Sequence, residues 1–236
     1  MISEMFAHGF IQRAFIGGVL VSLCAALLGV SLVLKRYSMI GDGLSHVSFG
    51  ALSIAIAFGF APIKFSIPIV IIAAFFLLRL AENGKMKSDA AIAMVSASSL
   101  AIGVIVTSLT TGLSTDVCSY MFGSILAMSK DDVIFSVALS VVVLIMFGFC
   151  YHRIFAVTFD ESFSKATGVK VGMYNTLISI FTAVTVVLGI KMMGAMLISS
   201  LIIFPALTSM RVFKSFLSVT ICSAILAVIN FTAGLL

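Results

Sequence analysis

The sequence predicts an all-α fold, a polytopic transmembrane helical bundle of about eight spans. Three observations lead there. Hydrophobic residues make up 61% of the 236 residues and charged residues only 10%, with a mean hydropathy of +1.27. A soluble domain carries roughly a quarter charged residues, so this chain lacks the polar surface to live in water. Apolar runs of about 20 residues recur along it, the length a helix needs to cross the hydrocarbon core of a bilayer. The short alternating segments of a membrane β-barrel are absent. A soluble enzyme, a secreted disulfide domain and a disordered protein are excluded together.

The elements follow in order. Ala14 to Leu34 is free of charge for 21 residues and is stopped by Lys35-Arg36. It is too long for the apolar core of a signal peptide and reads as a span. Met39 to Phe60 carries Asp42 and His46 near its start, and Phe65 to Leu78 is a shorter span ending at Arg79. A polar loop from Leu80 to Ser88 leads to Asp89, a candidate cap for Ala90 to Leu109. Tyr120 to Met128 is apolar but too short to cross, which suits a re-entrant or interfacial segment. Val133 to Cys150 spans, and Tyr151 to Val171 is the longest polar stretch. Gly172 to Ile190, Met192 to Leu207 and Phe216 to Leu236 complete the set, and the whole of 1–236 forms a single transmembrane domain.

Charge gives orientation. The formal net charge is +5, but the basic residues sit in short loops, which speaks for topology and not for nucleic acid. Alternate loops divide the 14 Lys and Arg into ten (Lys35, Arg36, Arg79, Lys85, Lys87, Arg153, Lys165, Lys170, Arg211, Lys214) and four (Arg13, Lys64, Lys130, Lys191). The richer set faces the cytoplasm, so both termini face outward. Cys24, Cys118, Cys150 and Cys222 form no C-x-x-C pair, and three lie in apolar runs, as small buried hydrophobes do.

Asp42 and His46 are the chemically informative residues. An ionisable group deep in a bilayer costs about 2.5–3.5 kcal/mol on insertion scales, and most charges here avoid that cost at span ends. An i, i+4 spacing puts this carboxylate and imidazole on one helical face. Together they can share a divalent cation, the imidazole favouring zinc and its neighbours and the carboxylate tolerating manganese. They can equally form a structural hydrogen-bonded pair, or Asp42 can cap the helix. Two ligands are too few for a structural zinc site but suit a site that binds and then releases. Gly41, Gly43 and Gly50 around them allow close helix approach or a local helix break.

Two inner-face segments stand out. Thr158-Phe159-Asp160-Glu161 has a capping-box pattern and Gly168 fits a stop, so Phe159 to Thr167 reads as a short helix or a plain connector. Pro205 to Lys214 is short, apolar and basic, and starts at a proline expected to end or kink the preceding span. It reads either as a membrane-surface helix or as a docking segment for a cytoplasmic partner. No G-x-x-x-x-G-K-[ST] occurs, so the chain carries no P-loop, and no H-E-x-x-H marks an intramembrane zinc protease.

The stretch from Lys35 to Gly50, KRYSMIGDGLSHVSFG, resembles the signature of the zinc/manganese ABC-importer permeases of the ZnuB/TroC/MntB type. Phe122 to Ala127 resembles that family's FGSIL stretch, Phe159-Asp160-Glu161 with Ala166 to Val169 its cytoplasmic loop, and Gly194 to Ala206 its GxLLVxALLIxPA block. The blocks fall in family order across most of the chain. The resemblance implies a type II ABC-importer-like permease in a bacterial inner membrane. It implies a second permease copy, a cytoplasmic ABC ATPase dimer and an extracellular metal-binding protein as partners, and no nucleic acid. It places Asp42 and His46 on the metal pathway, with no tightly bound cofactor and with Zn2+ or Mn2+ in transit. The wording of the signature leans to zinc. The resemblance assigns ATPase coupling to the block holding Pro205, Met210, Arg211, Phe213 and Lys214, and ATP hydrolysis to a separate chain. Iron import, a passive channel, or a membrane enzyme using Asp42 and His46 as a base pair are the alternatives.

Overall fold

The computed structural model describes residues 9–37, 39–82, 88–110, 123 and 130–235. Its elements are α1 (Gly9–Leu34), α2 (Ile40–Ala57), α3 (Pro62–Glu82), α4 (Ser88–Leu109), α5 (Lys130–Phe159), α6 (Glu161–Ala166), α7 (Val171–Met193), α8 (Ala195–Val212) and α9 (Phe216–Leu235), with no strand among the described residues. Seven of the helices are long and apolar enough to cross a membrane, and α3 adds a shorter apolar stretch, Pro62–Leu77. The bundle of about eight spans is therefore as expected. The Tyr120–Met128 segment, most of the FGSIL block, Cys118, Lys85 and Lys87 lie outside the described residues. Cys24, Cys150 and Cys222 are free thiols.

The centre of the bundle is built from α1, α2 and α7. Of their apolar windows 67%, 72% and 78% is buried, against 17% in α4 and 28% in α5, which turn most of their surface outward. α1 packs against α5, α7, α8 and α9, while α2 lies between α3 and α4. Lipid offers no hydrophobic drive between helices, so close backbone approach at small residues holds such bundles together. A Cβ on Gly29 would stand 1.9 Å from the Ile202 carbonyl oxygen, so α1 and α8 meet there backbone to backbone. Gly50 takes the Ser99 carbonyl of α4 in the same way, at 2.8 Å from the position of a Cβ. Gly41, Gly43 and Gly50 of the signature are packing positions and not a helix break, because α2 runs unbroken from Ile40 to Ala57.

Some buried hydroxyls are satisfied within their own helix. Ser53, Thr182 and Thr220 each donate to the carbonyl four residues back, which lets polar side chains sit in an apolar interior.

Four boundaries differ from the sequence reading. α4 starts at Ser88, one residue before Asp89, so Asp89 lies in its first turn. α5 continues through Tyr151–Phe159, residues read as loop. At 30 residues it is about 45 Å long and overhangs a bilayer core of roughly 30 Å. The capping residue of α6 is Asp160, whose Oδ1 accepts from the Phe163 N–H at 2.9 Å, and Thr158 is buried within α5. Gly168 does follow the helix at φ +81°, as its stop. Finally, Pro205 lies inside α8 and does not end it. The chain breaks between α7 and α8 at Gly194 instead, whose φ of 86° and ψ of 162° suit only glycine.

Candidate functional site

α2 opens with Met39 as its N-cap residue, without a side-chain capping bond. Asp42 therefore does not cap the helix. It lies in the first turn, where the helix dipole favours a carboxylate. His46 follows one turn later on the same face, and its Nε2 lies 3.7 Å from Asp42 Oδ2. That separation is too long for a hydrogen bond. It is close to the spacing of about 3.4 Å that ligand bonds of roughly 2.0–2.2 Å impose on a nitrogen and an oxygen sharing a tetrahedral zinc.

The line these residues occupy is distinctive. From Ile40 to Ser53, Asp42 and His46 alone are not buried, and they continue a line from exposed Met39. Every other position in that stretch packs inside the chain. Ser45, beside the pair, donates to the Gly41 carbonyl at 2.8 Å and lies 3.1 Å from Ser199 Oγ, which pins α2 to α8. A Cβ on Gly43 would come within 2.6 Å of Ile92 Cγ2, so α4 presses on the next face. The Asp42–His46 face is thus flanked by packed faces and itself left open. Among the described residues no group of three or more His, Cys, Asp or Glu side chains comes together.

The second candidate region is less as expected. Pro205 is buried in the body of α8, its carbonyl accepting from Ser209 Oγ at 2.7 Å, so it is no part of a surface segment. Arg211, Phe213 and Lys214 are exposed at the helix end. Met210, Phe213 and Lys214 line a cavity of about 300 Å³ together with Leu34, Phe159 and Phe216. The cavity wall is braced by rings: Phe155 stands 5.0 Å from Phe216 and 5.2 Å from Phe159, centroid to centroid. Beyond it α6 turns Phe163 outward, 65% exposed. The end of α5, the end of α8 and the start of α9 thus line one apolar cavity, and Phe163 of α6 stands exposed after the α5–α6 corner.

A third grouping had no sequence signal, because its members are far apart in the chain. Lys35 Nζ lies 2.8 Å from Glu161 Oε1 and also hydrogen-bonds Asn175 Oδ1, and Asn175 Nδ2 donates to the same Glu161 oxygen at 3.1 Å. Burial alone would raise the Glu161 carboxyl. The bonds from Lys35 and Asn175, with the charges of Lys35 and Lys165, outweigh it and hold the group below its ordinary value.

Comparison with known proteins places this geometry. The profile of the ABC 3 transport family matches residues 7–236. The high-affinity zinc uptake system membrane protein ZnuB of Buchnera aphidicola is 31% identical over 94% of this chain and 85% of its own. The manganese import system permease protein ScaB of Streptococcus gordonii is 28% identical over 92% of this chain and 78% of its own. The solved structure of PsaBC from Streptococcus pneumoniae in complex with Fab superposes with a TM-score of 0.83 at 27% identity, covering 97% of this chain and 83% of that one. With the helical bundle, the signature around Asp42 and His46 and a family match over nearly the whole length, the chain belongs to the ABC 3 transport family.

Proposed function

We propose that the whole chain is the membrane-spanning permease of an ATP-driven importer for a divalent transition metal, Zn2+ or Mn2+, with zinc favoured. It is a transporter subunit and not an enzyme, ATP being hydrolysed by a separate chain. The observation that carries the reading is the Asp42–His46 pair, 3.7 Å apart on the one uncovered line of an otherwise buried stretch. Two ligands per chain fall short of the four that zinc prefers. A second copy facing the first across a two-fold axis supplies one more of each, four ligands in all, which suits an ion held by both subunits and released when they part. The zinc and manganese named for ZnuB and ScaB support this donor chemistry. The deciding measurement is ATP hydrolysis and uptake by the reconstituted complex across Zn2+, Mn2+ and Fe2+. Expected are stimulation by zinc or manganese and one bound ion per two chains. Flux without nucleotide would mean a channel, product chemistry an enzyme, and preference for Fe2+ an iron importer.

The basic loops put the Lys35, Lys165 and Lys214 end in the cytoplasm of a bacterial inner membrane, with both termini outside and the metal supplied by an extracellular binding protein. The cavity lined by Phe159, Met210 and Phe213, together with exposed Phe163 of α6, then docks the ATPase dimer. Single cysteines at 163 and 213, in a chain whose four native cysteines are alanine, are expected to react with an impermeant thiol reagent only from the cytoplasmic side. Assembly with the ATPase should protect both. Protection at 213 alone would return docking to the end of α8.

A further inference from the structure

Lys35 is a buried cation. Its side chain is 7% exposed, and its ammonium is spent on Glu161 and Asn175. A charge withdrawn from water is held only where partners compensate it. The three side chains join three elements: the end of α1, the first residue of α6, and the second turn of α7.

What lies on either side of this junction matters. Lys35 closes α1, and the next residue, Arg36, takes a left-handed conformation at φ 62°. The Tyr37 N–H returns to the Leu32 carbonyl at 2.8 Å and the Arg36 N–H to Val33 at 3.0 Å, a bonded helix stop. The Ile40 N–H then bonds the Tyr37 carbonyl at 3.0 Å, so the turn passes directly into the first turn of α2, where Asp42 sits. On the other side, Glu161 opens the short helix that presents Phe163 to the cytoplasmic partner.

We propose that Lys35 is a positioning residue for transport: its ion pair with Glu161 ties α6 to the bonded turn that leads into α2, the helix carrying Asp42 and His46, so that a displacement of α6 is delivered to the metal ligands. The inference rests on the reading of that pair as the transit site and of α6 as part of the docking surface. Asn175 makes the junction tolerant of reversal, because an amide both donates and accepts and can serve either sign of charge on either side.

The test uses the reconstituted complex, with ATP hydrolysis and radiolabelled zinc uptake measured in the same proteoliposomes and equilibrium zinc binding measured in detergent. The variants are Lys35→Met, Glu161→Gln and the reversal Lys35→Glu with Glu161→Lys. The expected result for the single variants is assembled complex, zinc binding within about twofold of the parent, and ions moved per ATP reduced about tenfold. The reversal is expected to restore at least half of the lost coupling. If Lys35→Met does not assemble, Glu161→Gln carries the test, because its amide still accepts from both partners but lacks the charge. Unchanged ions per ATP in an assembled single variant, or a reversal that restores assembly without coupling, overturns the inference and leaves the pair as a pin for α6. A parent complex that neither binds nor moves zinc or manganese refutes the proposed function instead, and is told apart because the loss precedes any substitution.

Discussion

Asp42→Asn is expected to lower metal uptake per assembled complex by 100-fold or more. The substitution keeps the shape of the side chain and removes the charge that attracts a dication. Loss of a group that merely orients a metal ligand typically costs 10–100-fold in affinity, and loss of a ligand itself costs at least as much. His46→Ala removes the nitrogen donor, and surviving uptake should shift from zinc toward oxygen-preferring ions such as manganese. Uptake by the parent should also fall as the pH drops, because a protonated imidazole or carboxyl cannot hold a cation. The side chains stand 3.7 Å apart without a hydrogen bond, so removing either should leave assembly near normal. Radiolabelled uptake normalised to assembled complex decides the matter. Near-normal transport with unaltered metal preference in both variants would falsify the transit site.

Gly29→Leu is expected to abolish assembly outright. The contact at Gly29 is the Ile202 carbonyl, 1.9 Å from where a Cβ would stand, and that carbonyl belongs to the backbone of α8. No rotamer change relieves it, so α1 and α8 must separate along their length. Overpacking of an ordinary core by a methyl group or two costs about 1–3 kcal/mol, which sets the scale for Gly29→Ala. Gly148→Ala is the control, since a Cβ there meets nothing within 4 Å. Thermal unfolding in detergent should separate the two alanine variants clearly. Equal melting points would show that α1 and α8 are free to move apart at this crossing.

The spans were legible because apolar length alone marks them, and the Asp42–His46 face was legible because four residues make one helical turn. Local signals failed where a longer-range term outweighed them. Pro205 was expected to end or kink a helix, yet α8 runs on through it, since a spanning helix packed among neighbours tolerates the one carbonyl that proline leaves without its donor. Thr158 read as the cap. The helix of α5 runs on through Thr158, which left the role to Asp160. Lys35 looked like a topology marker and Glu161 like half of a capping box. Nothing local tells one that the other is its partner, 126 residues away. The apolar cavity was half visible for a similar reason, since Phe159 and Phe213 line it together only after two more helices, α7 and α8, have intervened.

The unbroken run of α5 makes it a lever. One tip carries Phe155 and Phe159 beside the inner cavity, and the other begins at Lys130 on the opposite side of the bundle. A rod of about 45 Å tilted by roughly five degrees about its middle carries each tip through about 2 Å, in opposite directions. Push at one surface and pull at the other become a single movement, with no hinge between them to absorb it.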